Sequence, residues 1–256
     1  MSYIELKNVT KHFKRSTGER IIGLNNLNLS IQAGEIIGII GTNGAGKSTL
    51  LNCLTGQTPI DSGEIWIGGE RVDHLKPSKS ASKISRVFQD AGMGTAPRMT
   101  VFENLMLAMK RGEKRGFQSS LTTENYKKME QYVSQFKLDL ENRLDVEMEA
   151  LSGGQRQAVA LLMATLKQPQ LLLLDEHTAA LDPRMAQTVM AITQQLIVEQ
   201  ALTVIMITHR LQDALTYCSR VVAMHQGEIY RIFDREALQS LTTADLFLIL
   251  EEMVNQ

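Results

Sequence analysis

The run Gly41-Thr42-Asn43-Gly44-Ala45-Gly46-Lys47-Ser48 constrains this chain more than any other feature, because its chemistry works in only one structural setting. The pattern is that of a P-loop, a glycine-rich turn that wraps phosphate oxygens with backbone N–H groups between a strand and a helix. Both flanks are present. Glu35-Ile36-Ile37-Gly38-Ile39-Ile40 is the short, continuous apolar run of a strand buried on both faces, and Thr49-Leu50-Leu51-Asn52-Cys53-Leu54 has helical composition. Such a strand lies centrally in a parallel sheet and throws its loop to the carboxyl edge, where ligands bind. Gly41, Gly44 and Gly46 tolerate the positive φ that close wrapping needs. Lys47 then brings a charge to the β- and γ-phosphates and Ser48 a hydroxyl to Mg2+, while the helix that follows, with Thr49 in its first turn, points its positive dipole end at the anion. The ligand these residues predict is a nucleoside triphosphate with Mg2+.

Composition narrows the partners. At 256 residues the chain can bury a substantial core, as one large α/β domain or one domain carrying a lobe. A formal net charge of -1 supplies no field to hold a polyanion by counterion release, so nucleic acid is not an expected partner. Cys53 and Cys218 sit in apolar helical contexts without metal spacing and read as core residues of a protein in a reducing compartment. The start Met1-Ser2-Tyr3-Ile4-Glu5-Leu6-Lys7 alternates like a strand and is not expected to be a signal peptide. No window approaches about 18 apolar residues without charge, so no transmembrane helix is expected and any membrane role passes through a partner.

Periodicity gives the organisation. Residues 3–10 and 20–31 read as amphipathic strands joined by a polar turn at 14–19, Glu64-Ile65-Trp66-Ile67 as an edge strand, and residues 84–89 as a strand re-entering the core with Gln89 at its end. Residues 101–109 and 124–136 have helical period, split by the basic Lys110-Arg111-Gly112-Glu113-Lys114-Arg115-Gly116, which reads as a solvated turn more readily than as a phosphate contact. The α/β alternation then resumes: helices at 155–167, 183–200 and 211–218, strands at 170–174, 202–207 and 220–224, a hairpin around Gly227, and a last helix at 243–254.

Two more segments specify the chemistry. Leu171-Leu172-Leu173-Leu174-Asp175-Glu176 is an apolar run ending in two acids, as a second core strand would deliver carboxylates to the same edge. Asp175 can reach Mg2+, and Glu176 can orient or deprotonate an attacking water. Leu151-Ser152-Gly153-Gly154-Gln155 places a capping serine and two glycines before a helix, a second anion site.

With this third segment the sequence resembles the ATP-binding cassette (ABC) ATPases over nearly its whole length. The resemblance implies an α/β P-loop NTPase of that type: one nucleotide-binding domain over residues 1–256, with core and antiparallel β subdomain from 1–89 and 151–256 and an inserted helical subdomain at 90–150. It also implies that Ser152, Gly153, Gly154 and Gln155 meet the γ-phosphate held by a second copy's P-loop, two chains closing head to tail on two ATPs. Phe13 matches the family's adenine-stacking aromatic, Gln89 the glutamine touching Mg2+ and water, Asp182 in Ala180-Leu181-Asp182 the loop crossing the dimer, and His209 the switch histidine. Taken alone, Phe13 would serve as well as a strand-face core residue, Gln89 as a surface amide and His209 as a strand-end imidazole. Two departures stand out: His177 where the family usually has proline, and Ala179 where it usually has serine. His177 reads as a substituted loop residue more readily than as a titrating group near the nucleotide.

The family's work passes through separate permease subunits, which dock near residues 89–104, at the cytoplasmic face of the membrane. The text around Gln89 and from Asp175 to Asp182 is similar to a bacterial subgroup of importers for amino acids such as tryptophan, fed by an extracytoplasmic solute-binding protein. A soluble cassette ATPase acting as an assembly scaffold, as in iron-sulfur cluster biogenesis, shares every nucleotide motif and remains the alternative.

Overall fold

The computed structural model describes residues 3–15, 18–113 and 120–254, so Ser16 and Thr17 of the first turn and Lys114, Arg115 and Gly116 of the basic heptad lie outside the described residues. Two sheets organise the chain. In the first, β1 (Ile4–Lys14), β2 (Arg20–Ile31), β4 (Ser62–Ile67) and β5 (Glu70–Arg71) pair antiparallel in the order β2-β1-β4-β5. The segment expected at an edge, Glu64 to Ile67, is therefore an inner strand, since the chain turns at Gly68-Gly69 and adds β5 outside it. Inner placement suits Ile65 and Ile67, both fully buried.

The second sheet has six strands: β3 (Ile36–Gly41), β6 (Ile84–Val87), β7 (Leu171–Asp175), β8 (Val204–Ile207), β9 (Arg220–His225) and β10 (Glu228–Phe233), in the order β10-β9-β3-β8-β7-β6. All neighbours are parallel except β9 and β10. Its inner strands read as unbroken apolar runs because both faces are covered. Leu171 and Leu173 with Ile205 and Ile207 enter the core shared with the antiparallel sheet and α1 (Lys47–Leu54). Leu172 and Leu174 with Val204 and Met206 enter the other core, which the helices cover. Each fully buried leucine contributes about 1.5–3 kcal/mol of transfer free energy, so these runs hold their strands at the centre of the molecule.

Between β4 and β6 lies the one-turn α2 (Pro77–Ser80). The other core is roofed by α3 (Val101–Met109), α4 (Thr123–Ser134), α5 (Gly153–Thr165) and α6 (Pro183–Gln200). A capping box starts α3, where Glu103 N donates to Thr100 Oγ1 at 3.2 Å and Thr100 N to Glu103 Oε2 at 2.8 Å. Fully buried Asn104 fixes the loop before it, accepting from Ala96 N at 2.8 Å and donating to the carbonyls of Ala96, Met99 and Thr100. Arg111, from the segment expected to be a solvated turn, is turned inward instead, donating to Ser85 Oγ on β6 and to Met163 O on α5 at 2.8 Å. The remaining helices are α7 (Leu211–Tyr217), α8 (Arg235–Ser240) and α9 (Thr243–Val254). Among the described residues no helix is long and apolar enough to cross a membrane.

Candidate functional site

Strand order explains how distant residues converge. Because β3, β8, β7 and β6 are adjacent and parallel, their carboxyl ends emerge side by side. Ile39 pairs with Ile207, which pairs with Asp175, so the P-loop, His209, Asp175 with Glu176, and Gln89 follow one another along a single sheet edge.

At that edge β3 ends in Gly41 and α1 begins after Gly46, whose φ of 100° is the left-handed conformation that starts the helix. A Cβ on Gly46 would lie 2.5 Å from Gly23 O and one on Gly41 2.4 Å from Met224 O, so backbone packs where side chains would stand. Asn43, Gly44 and Ser48 are exposed, and Thr42 and Thr49 half-buried. Lys47 is buried, its Nζ donating to Gly41 O at 2.7 Å and Thr42 O at 3.0 Å. Burial lowers its pKa, with Glu176 and Asp175 opposing. An ammonium resting on two loop carbonyls can exchange them for phosphate oxygens, with which it forms stronger, charge-assisted hydrogen bonds.

Glu176 follows β7 with φ 50°, uncommon for a residue with a side chain, and its N–H donates to Ile207 O at 3.0 Å. Its Oε1 lies 2.7 Å from His209 Nε2, so the two residues from adjacent strand ends form a dyad able to hold and polarise a water. Asp175 Oδ2 accepts from Arg86 Nη2 at 2.6 Å. Exposed Gln89 lies two residues beyond β6. Gln89, Asp175 and Gly153 line one cavity of about 450 Å³, whereas Gly41, Thr42, Asn43 and His209 line another of about 730 Å³. Among the described residues no cluster of three or more His, Cys, Asp or Glu side chains forms a metal site. The hydroxyl of Ser48, the carboxylate of Asp175 and the amide of Gln89 are hard oxygen donors, a set that fits Mg2+ when nucleotide phosphates complete its shell.

Ser152 caps α5 in a reciprocal box with Gln155, the Gln155 N–H reaching Ser152 Oγ at 3.3 Å, while Gln155 Nε2 donates to Leu138 O at 3.1 Å. Ser152 and Gly153 are exposed, and amides in the first turn of a helix, which lack intrahelical acceptors, can bind an anion. Gly154 is buried: a Cβ there would meet Met185 Cγ at 2.3 Å. Asp182 caps α6, accepting from Arg184 N and Met185 N at 3.1 Å each. Phe13 is 38% exposed and its ring lies over Gly23, where a Cβ would come 2.6 Å from Cε2, with Lys11 Nζ 5.6 Å from the ring centroid.

His177 turns away from this edge. It is buried, its Nε2 lies 3.1 Å from Thr193 Oγ1 on α6, and burial pushes its pKa down to about 4. Because Thr193 Oγ1 donates to Val189 O at 2.8 Å, it accepts from His177, whose neutral ring carries the proton on Nε2. Sequence reasoning missed three neighbours of the site. Arg86 gave no local signal, since its partner is 89 positions away in sequence. Phe247 and Glu251 of α9 line the larger cavity beside the P-loop, and only the helical period of α9 was legible.

Comparison with known proteins agrees with this geometry. A family model described as ABC transporter matches residues 24–179. The tyrosine transport ATP-binding protein of Clostridioides difficile is 39% identical over 243 residues, covering 95% of this chain and 96% of that protein. The methionine import ATP-binding protein MetN of Haemophilus ducreyi is 34% identical over 229 residues, 88% of this chain but 63% of that longer protein. Among solved structures, a dimeric ATP-binding cassette in a post-hydrolysis state bound to ADP and Pi superposes with a TM-score of 0.77 at 31% identity, covering 91% of this chain and 98% of the other. This chain belongs to the ABC transporter family and is an ATP-binding, ATP-hydrolysing cassette.

Proposed function

We propose that two copies of this chain close head to tail around two ATP molecules and drive a bacterial importer of a small, amino-acid-like solute. The observation that carries the transport reading is the 39% identity, over 95% of the chain, to a tyrosine transport ATP-binding protein. Methionine import proteins among the relatives point to the same solute class, a spermidine/putrescine import protein widens it to other small solutes, and these relatives do not favour the assembly-scaffold alternative.

On this reading Lys47 leaves the Gly41 and Thr42 carbonyls for the β- and γ-phosphates, and the P-loop amides from Thr42 to Thr49 cradle them. Ser48, Gln89 and Asp175 would hold Mg2+ beside the nucleotide, where the ion would offset phosphate charge. Glu176 takes the proton of the attacking water and His209 contacts the γ-phosphate, the contact between them fixing both side chains. Phe13 stacks on adenine. Ser152, Gly153, Gly154 and Gln155 complete the facing copy's site, with Asp182 at the crossing. The chain acts as one domain, residues 90–150 forming the helical subdomain that meets permease subunits near 89–104. The complex sits at the cytoplasmic face of the membrane and receives solute from an extracytoplasmic binding protein.

The test is affinity capture of the tagged chain from detergent-solubilised membranes of its own host. Recovery of a multi-span permease, lost when residues 89–104 are altered, supports the importer; recovery of a soluble assembly complex alone refutes it.

A further inference from the structure

Arg86 is the one cation on β6 that reaches the nucleotide edge, and three groups hold its guanidinium. Nη2 donates to Asp175 Oδ2 at 2.6 Å, Nη1 donates to Asn52 Oδ1 on α1 at 2.7 Å, and the plane lies 4.6 Å from the centroid of the Phe88 ring. The side chains of Arg86 and Asp175 are only 10% and 18% exposed, so the pair is poorly screened. It is also monodentate. Arg86 Nε, on the same edge of the guanidinium, is buried without a partner, and one carboxylate oxygen takes the whole contact. A fork-on-fork pair would satisfy both donors and lock the carboxylate. This arrangement holds Asp175 by one oxygen and leaves the other for the site.

We propose that Arg86 is a built-in counter-cation for Asp175: it neutralises the carboxylate in the nucleotide-free protein, shares it when Mg2+ arrives with ATP, and so sets how strongly nucleotide binding depends on Mg2+. The inference rests on the reading of Asp175 as the Mg2+-side carboxylate and goes beyond it, because a structural tie between β6, β7 and α1 would need no cation. A fixed positive charge at this edge attracts metal-free ATP and repels Mg2+. It therefore narrows the difference between the two nucleotide forms. Arg86 is a positioning residue, acting through Asp175.

The experiment is equilibrium binding of TNP-ATP to the full chain in EDTA and in saturating Mg2+, with Mg2+ titrations between. Arg86→Gln removes the charge and leaves a neutral, shorter polar side chain on β6. It is expected to weaken binding in EDTA, lower the Mg2+ needed for half-saturation, and raise the ratio of Mg2+ to EDTA affinity on the order of tenfold. Arg86→Lys restores the charge and is expected to return the ratio most of the way to wild type. A ratio within about twofold of wild type in folded Arg86→Gln, or Arg86→Lys behaving like Arg86→Gln, overturns the proposal. Should Arg86→Gln fail to fold, Asn52→Asp, which sets a carboxylate on the guanidinium's second donor and offsets its charge in place, must move the ratio in the same direction; no movement overturns it. If wild type and Asp175→Asn both bind without regard to Mg2+, the reading of Asp175 itself falls, and this inference with it.

Discussion

The histidine that replaces the family's usual proline gives a quantitative test of burial. His177 is neutral in the folded chain, with a pKa of about 4 against an ordinary 6.5, and no opposite charge contributes to that shift. The sign follows directly: between these values the unfolded chain holds a proton on this ring that the folded chain refuses. Stability is therefore full above pH 6.5 and declines as pH falls toward 4. The whole window corresponds to about 3 kcal/mol, and the step from pH 7 to pH 5 to about 2 kcal/mol. The ring is 2% exposed, so solvent screening removes little of this. Replacing His177 by Gln, which keeps an N–H for Thr193 Oγ1 but does not titrate, removes this term whatever it costs at neutral pH. The assay is urea denaturation of both proteins, nucleotide-free, at pH 7 and pH 5. Wild type should lose about 2 kcal/mol more than His177→Gln over that step. Asp61, Asp73 and Glu113, whose carboxyls partners hold below their usual range, lose stability in acid too, but equally in both proteins, so they cancel. Equal losses in the two proteins would refute the reasoning.

Packing predicts an asymmetry between the two signature glycines. Gly153→Ala meets only Leu181 Cδ2 at 4.0 Å and should leave stability within about 0.5 kcal/mol, whereas Gly154→Ala drives into Met185 and should cost about 1–3 kcal/mol, recovered in part by Met185→Ala; melting curves check both. Asn104→Ala leaves Ala96 N without its acceptor, while the three carbonyls keep the backbone donors Met99 N, Met148 N and Asn104 N, and should cost about 1–3 kcal/mol, with hydrogen exchange rising first in residues 96–100. Burial pushes the Cys53 and Cys218 thiols up to about 11 and about 12, so a disulfide reagent at pH 8 should label neither until urea unfolds the chain.

Where the chemistry is local, the sequence displays it. The P-loop between an apolar strand and a helix, the acids closing Leu171 to Leu174, and Ser152 before its glycines each combine a fixed local geometry with a fixed residue type, and all fall where the periodicity placed them. Strands buried on both faces were as readable. Glu64 to Ile67 was misplaced as an edge because β5 has two residues, too few to show a period. The single turn of α2 was missed for the same reason. Arg111 looked like surface charge because nothing within its own segment shows that Ser85 and Met163 O wait for it. Pairs such as Arg86 with Asp175 are products of strand order, which local patterning does not encode.

The claim on which the functional account depends is that the Ser152 turn of one copy meets the P-loop of the other. Its most direct test is a cysteine cross-link between Ser152→Cys and Asn43→Cys in a Glu176→Gln background, both positions being exposed and the native thiols buried. With ATP and Mg2+ the account predicts a disulfide-linked dimer, and without nucleotide only monomer. A chain that binds ATP yet forms no cross-link between these two positions would contradict it.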